Sequence, residues 1–258
     1  MSISPPRKGY TRTADIPLDI LQDLSQGIIP SATLTEGLAL DQSQLLRTVF
    51  PELSKQAMNA VEAACQLGIL KRMQGISALL LNEFGAEGIN RCREHGSDTV
   101  RGWACFMTGA QTGLNLQTRL AHIQPLADDE HFGVREWAWM AVRPHLAQDL
   151  RTAIDYLTAW TSSPSERVRR FASEAIRPRG VWCSHITELK QRPELALPIL
   201  LPLHADPSVY VQDSVANWLN DAAKDQPVWV SELCGQWLQD KPTDATRRIC
   251  QRALRNLR

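Results

Sequence analysis

Residues 165–182 read SERVRRFASEAIRPRGVW, and their spacing predicts a helix with two distinct faces. Val168, Phe171, Ala172, Ala175 and Ile176 fall at i, i+3, i+4, i+7 and i+8, one apolar stripe at helical period. Arg167, Arg170, Glu174 and Arg177 form a second stripe, in which three cations surround one carboxylate. The apolar pattern recurs along the chain. VRGWACFM begins at Val100, VREWAWMA at Val134, VRRFASEA at Val168, VQDSVANW at Val211 and TRRICQRA at Thr246. These starts are separated by 34, 34, 43 and 35 residues. Each copy follows a short polar segment (GSDT, DEHFG, SPSER, ADPSVY, PTDA) suited to closing a turn and capping a helix. Each places apolar or small residues at offsets 0, 3, 4 and 7. Repetition at this period is the signature of stacked helical hairpins. The expectation is an all-α fold, a HEAT-like repeat solenoid, curved with a basic concave face. The 43-residue step contains RGVWCSHITELKQRPE, a loop inserted directly after the opening stretch.

Outward from the repeats, residues 1–45 carry Pro5, Pro6, Pro17 and Pro30 and read as an arm with short helices. Residues 46–258 read as the solenoid, within a single domain overall. Residues 53–70 and 74–94 have the pattern of a helical pair, and no alternating run or Asn-Gly signal suggests strands. The formal net charge is zero, so any binding to nucleic acid must come from segregated charge. Segregation is present: residues 241–258 hold six cations against Asp244. The first residues contain no apolar run of a secretory signal. The segment LALPILLPLHA (residues 195–205) is too short and too proline-broken to span a bilayer. The six cysteines include no CxxC pair, and Cys92-Arg-Glu-His95 is an isolated CxxH. Together these indicate a reduced, cytoplasmic chain without zinc or disulfides; a monomer with no metal, no cofactor and no membrane contact is expected.

In a stack of repeats, equivalent offsets line up on one surface. Offsets 2, 6 and 10 lie on one side of a helix, because four residues advance about 400°. They hold Glu136, Met140 and Pro144, then Arg170, Glu174 and Pro178, then Asp213, Asn217 and Asp221. Glu136, Glu174 and Asp221 are therefore expected on one face, with Trp139 near the first and Trp182 near the second. Around them stand Arg135, Arg143, Arg169, Arg170, Arg177, Arg179 and Lys224, with Arg248 and Arg252 on the C-terminal helix. A positive surface with internal carboxylates and aromatics suits a phosphate backbone carrying a cationic group. Taken singly, each residue has a plainer account: helix-surface ion pairs, a local backbone contact for Asp221, a gap-filling role for Trp182.

VRRFASEAIRPRGVW followed by DPSVYVQDSVANWLNDAAKDQP resembles the AlkC branch of the AlkC/AlkD HEAT-like DNA glycosylases. The similarity extends upstream through HGSDTVRGWACFM and HFGVREWAWMAVRPHL, covering roughly residues 95–230. It implies removal of alkylated bases from double-stranded DNA, in the bacterial cytosol or nucleoid, by a protein that grips a bent duplex. By motif it implies active-site carboxylates at Glu136, Glu174 and Asp221 and an active-site aromatic at Trp182. It implies as substrate N3-methyladenine, with N3-methylcytosine or N1-methyladenine beside it. Gly180-Val181 stand where Leu-Pro is common, Gln212 replaces an Arg, and Trp218 replaces a His. The Gln212 change is expected to remove a phosphate contact, and Trp218 to affect packing. Two other readings stay open: a non-catalytic relative that recognises bent or branched DNA, and a protein–protein scaffold.

Overall fold

In a computed structural model of the chain, residues 7–239 and 241–257 are described; Pro5, Pro6 and Arg258 lie outside them. The described residues form helices and turns, with no strand. The helices are α1 (Leu18–Ser25), α2 (Leu34–Ala39), α3 (Gln42–Val49), α4 (Lys55–Cys65), α5 (Ile69–Arg93), α6 (Asp98–Ala110), α7 (Leu116–Ala127) and α8 (Phe132–Gln148). There follow α9 (Leu150–Trp160), α10 (Glu166–Glu174), α11 (Thr187–Gln191), α12 (Leu197–Leu203), α13 (Val209–Ala222), α14 (Pro227–Gln239) and α15 (Asp244–Ala253). Among the described residues, no helix is long and apolar enough to cross a membrane. The apolar segment at 195–205 instead becomes α12, which buries Ile199, Leu200 and Leu203.

Two compact units emerge, Met1–Gly113 with Glu130–Ala138, and Leu114–Asp129 with Trp139–Arg258. In the first, α5 lies along α6, α4 packs on α5, and α3 packs on α4. The expected helical pair is α4 and α5, with α5 interrupted at Gly85, whose φ of 54° is open to glycine. Residues 7–36, expected as an arm, are tied into this unit. The buried Glu36 carboxylate accepts from Arg7 Nη1 at 2.8 Å, Tyr10 N at 2.9 Å and Ala32 N at 2.7 Å. Burial opposes its ionisation, but these hydrogen bonds win and hold its pKa at about 2. Asp98, at the start of α6, takes Ser31 N at 2.8 Å and Ser31 Oγ at 2.7 Å.

In the second unit, α9 and α10, α12 and α13, and α14 and α15 pack as hairpins. The second helices also pack on one another, α10 on α13 and α13 on α15. All five copies of the repeat begin within the first turn of α6, α8, α10, α13 and α15. Offsets 0, 3, 4 and 7 are buried in every copy, from Val100, Trp103, Ala104 and Met107 to Thr246, Ile249, Cys250 and Ala253. The apolar stripe therefore forms the core, and the offsets between are left for polar groups.

The turns before four of these helices share one construction. His95 Nδ1, His131 Nδ1, Ser163 Oγ and Asp206 Oδ1 each accept from the backbone N–H two residues on, at 2.8–3.2 Å. The residue at offset 1 then curls back onto a carbonyl of the same turn. Arg101 reaches His95 O, Arg135 reaches Glu130 O, Arg169 reaches Ser163 O, and Gln212 Nε2 reaches Asp206 O. Gln212, expected to mark a lost phosphate contact, is buried, and its amide does the turn-closing job of the arginines at its offset. Arg169 adds a bidentate pair to buried Asp206, with Nε at 2.7 Å and Nη2 at 3.1 Å. That pair links the turns before α10 and α13, so Arg169 too has a structural job.

Replacing Arg169 by Ala leaves Asp206 buried without its cation, and the expected loss in urea unfolding is about 2–3 kcal/mol. Arg169→Lys, which lacks the fork needed for both Asp206 oxygens, is expected to recover only part of it.

Candidate active site

Helix α10 is capped by Ser165, whose side chain accepts from Arg167 N, and ends at Glu174, four residues before Pro178. A helix end leaves carbonyls without helical partners, and the four carbonyls just past Glu174 are taken by donors from elsewhere in the unit. Arg143 Nη1 donates to Ala175 O at 2.9 Å, and Arg143 Nη2 to Arg177 O at 2.6 Å. Trp218 Nε1 donates to Ile176 O at 3.2 Å, and Ile186 N to Pro178 O at 3.0 Å. The last bond closes a loop at residues 178–186, the first part of the inserted segment. Arg143 fills the interior of that loop, with Nε 3.2 Å from Ser184 O.

Arg143, expected as a phosphate contact, is held inside the protein in this arrangement. It is 2% exposed, and its guanidinium is committed to the carbonyls of the loop. Gly180 belongs to the same construction, since a Cβ there would overlap Cys183 Sγ and lie 3.1 Å from the Arg143 guanidinium carbon. The tip of the loop carries Trp182, 46% exposed and at φ 60°, a left-handed conformation that is strained for an aromatic residue. Arg179 fastens the loop outward by donating Nε and Nη2 to the Asp225 carboxylate at 2.9–3.1 Å. Asp225 lies four residues beyond Asp221, so the loop is tied to the end of α13.

Arg177 is the centre of the site. Its Nη1 donates to Glu174 Oε1 at 2.8 Å, while Nε and Nη2 donate to Asp221 Oδ2 at 2.9 and 2.7 Å. Both carboxylates are 4% exposed. Glu174 Oε2 also takes Ser214 Oγ at 2.6 Å, and Ser214 is in turn bonded to Ser173. Arg170 stands 3.6 Å from Glu174 and lies over the Tyr210 ring at 4.4 Å. Asp221 Oδ1 takes Lys224 Nζ at 3.2 Å. Burial pushes against ionisation of Glu174, but Arg170, Arg177 and the Ser214 hydrogen bond outweigh it and hold the carboxyl below its ordinary value. Burial likewise opposes the charge on Arg177, and Glu174 and Asp221 reverse the balance.

The predicted residues thus fall into separate groups. Glu174, Asp221, Arg170, Arg177 and Lys224 come together in one ion cluster. Trp182 and Arg179 belong to the loop fastened beside it. Arg167, counted with the first cations around Glu174, instead donates to Asp128 O at 3.0 Å. Arg248 and Arg252 both pair with Asp213, at 2.7 and 3.0 Å. Glu136 and Arg135 lie half-buried on the first part of α8, in the first compact unit. Trp139, expected on the polar face, is instead buried at 1% exposure. Trp218, expected to affect packing, is fully buried and also donates a hydrogen bond. Ser214 was not foreseen, although it carries a legible signal: offset 3 is Trp, Trp, Phe and Ile in the other four copies, and only here is it polar.

A family model described as "DNA alkylation repair enzyme" matches residues 111–257, more than half of the chain. The uncharacterized protein YhaZ of Bacillus subtilis (strain 168) is 45% identical over 102 residues, 40% of this chain and 29% of that protein. Among solved structures, the Pseudomonas fluorescens alkylpurine DNA glycosylase AlkC, bound to DNA containing an abasic site analog, aligns with a TM-score of 0.68 and 26% identity. The alignment covers 93% of this chain and 62% of that one. AlkD2 from Streptococcus mutans aligns with a TM-score of 0.54 and 19% identity over 83% of this chain and 97% of that one, a likeness of fold alone. The chain spans under two thirds of the length of both YhaZ and AlkC.

Substituting Arg177 by Met leaves two buried anions without their shared cation, which is expected to cost about 3–5 kcal/mol at neutral pH. The Glu174 carboxyl then loses one of the cations that hold its pKa down, so the mutant binds protons there more readily when folded. Its deficit relative to the parent is expected to shrink as the pH falls below about 5, read from urea melts across pH. The Glu174 contribution in the parent follows the same course: full above the unfolded value of 4.5 and lost as the pH falls through the lower folded value.

Proposed function

The chain belongs to the DNA alkylation repair enzyme family, and from that premise we propose that it is a DNA glycosylase that removes cationic N-alkylated bases by hydrolysing the N-glycosidic bond. The observation that carries this reading is the pair of buried carboxylates held by Arg177 beside a loop built to display Trp182. Likeness to a DNA-bound alkylpurine glycosylase over nearly the whole chain supports it.

The chemistry fits what these groups offer. A purine alkylated at N3 carries formal positive charge and departs as a neutral molecule, so no general acid is required. Glu174, held below its ordinary pKa, is ionised at neutral pH and is no proton donor. What the reaction does require is negative charge beside an oxocarbenium-like sugar, and a water directed at it. Fixed carboxylates supply both, and their prior alignment by Arg177 and Ser214 avoids reorganisation as the charge develops. In this reading Asp221 and Glu174 stabilise the sugar cation and orient water, while Trp182 meets the lesion nucleotide by cation–π contact, about 1–2 kcal/mol when desolvated. Glu136 enters on its sequence motif alone. Arg179, Arg248, Arg252 and Lys224 are the exposed or half-buried cations assigned to phosphates, and Arg135, Arg169, Arg170 and Arg177 add positive potential around them. The partner is double-stranded DNA, the chain acts as a monomer in the cytosol, and no metal or cofactor takes part.

The test is base release from methylated duplex DNA, with product identification for N3-methyladenine, N3-methylcytosine and N1-methyladenine. The parent is expected to release N3-methyladenine. Asp221→Asn is expected to lower the rate about 10²–10³-fold, with circular dichroism confirming the fold. Trp182→Ala is expected to lower it about 10-fold, in line with the loss of one cation–π contact. A folded parent that binds duplex DNA and releases nothing would be a non-catalytic DNA-binding relative, and the glycosylase reading would fall.

A further inference from the structure

The two carboxylates of the site are not equally open. Glu174 Oε1 is taken by Arg177, and Oε2 by Ser214 with Arg170 close by. Asp221 Oδ2 receives two hydrogen bonds from Arg177. Asp221 Oδ1 has Lys224 as its cation, at 3.2 Å. The arginines around the pair have 13% of their side-chain surface exposed and are gripped from two sides. Lys224 differs: 45% of its side chain is exposed, its stem is flexible, and its carboxylate is three residues away in the same helix end. The ammonium end of this pair reaches solvent although its carboxylate is buried, so an anion arriving from outside can draw the lysine away. A DNA phosphate offers the ammonium an alternative anion at little loss. The Arg177 contacts survive such an exchange, because they engage the other oxygen of Asp221.

We propose that the Lys224 ammonium is a place-holder, occupying in the free protein the position at Asp221 Oδ1 that the cationic nucleotide takes in the complex. When duplex DNA docks, Lys224 swings to a phosphate, and the oxygen it covered is turned over to the positively charged sugar or base. One side chain thereby keeps a buried carboxylate neutralised while the site is empty and couples its uncovering to contact with the backbone. This rests on the glycosylase reading and adds to it the class of ligand that Asp221 Oδ1 selects, a cationic nucleotide over a neutral one of the same shape.

The experiment compares equilibrium binding of two duplexes across salt concentrations. One carries a cationic pyrrolidine abasic nucleotide and the other a neutral tetrahydrofuran one. The proteins are the parent, Lys224→Met and Lys224→Arg. In Lys224→Met, affinity for the neutral duplex is expected to fall and the salt slope to shrink by about 0.9, one phosphate contact. The preference for the cationic duplex over the neutral one is expected to rise about three- to fivefold, because the ligand no longer competes with an internal ammonium for Oδ1. Lys224→Arg is expected to restore the slope. If Lys224→Met weakens both duplexes by the same factor, Lys224 is a phosphate contact and nothing more, and the place-holder is overturned. If it changes neither, the pair is a helix-surface ion pair and the place-holder is again overturned. A parent that binds neither duplex overturns the glycosylase reading itself, an outcome distinct from the other two.

Discussion

Arg177 is shared between Glu174 and Asp221, and much of the second unit is arranged so that this sharing holds. Two carboxylates brought together inside a protein repel one another and lose hydration, and a single guanidinium between them answers both problems. Its fork supplies Nη1 to one and Nε with Nη2 to the other. For the geometry to form, α10 must end at Glu174, so that Arg177 leaves the helix and reaches across to α13. The end of α10 is thus as important as its length. Ser214 completes the arrangement from α13 by fixing the second oxygen of Glu174.

The longer third step of the repeat follows from the same requirement. Ending α10 here leaves backbone carbonyls without helical partners, and the donors come from other repeats: Arg143 on α8 and Trp218 on α13. The loop that follows closes on itself through Pro178 and Ile186, with Arg143 inside it, and displays Trp182 at its tip. A buried arginine bound to carbonyls is a structural device, and a strained, exposed tryptophan is the kind of conformation that persists where surrounding contacts over-determine it. Arg179 and Asp225 add the outer fastening.

Chemically, a site in which Glu174 is held ionised is suited to a leaving group that already carries its charge. The same neutralisation that makes the carboxylates tolerable when empty also limits what they offer a substrate. An exchangeable counterion at one oxygen, beside permanent ones at the others, reconciles the two demands.

Legibility differed sharply between fold and site. The apolar stripe at offsets 0, 3, 4 and 7 was readable because burial imposes a helical period on residue type, and every such position is buried in all five copies. The repeat starts, the helical pair at α4 and α5, and the grouping of Glu174 with Arg170 and Arg177 come from spacing within single segments, which a linear pattern preserves. The polar side chains were harder, because an arginine reads alike whether it faces water, a carboxylate or a backbone carbonyl. Arg143, Arg169 and Gln212 take their roles from acceptors about 30–40 residues away or from the turn just before them. Trp139 and Trp182 also look equivalent in one dimension, yet one is buried and the other displayed, since only packing distinguishes a core aromatic from a loop-tip one. Period and composition were written along the chain; the partners of each charge were chosen by which helix ends meet in space, because pairing depends on distances between repeats that no local spacing encodes.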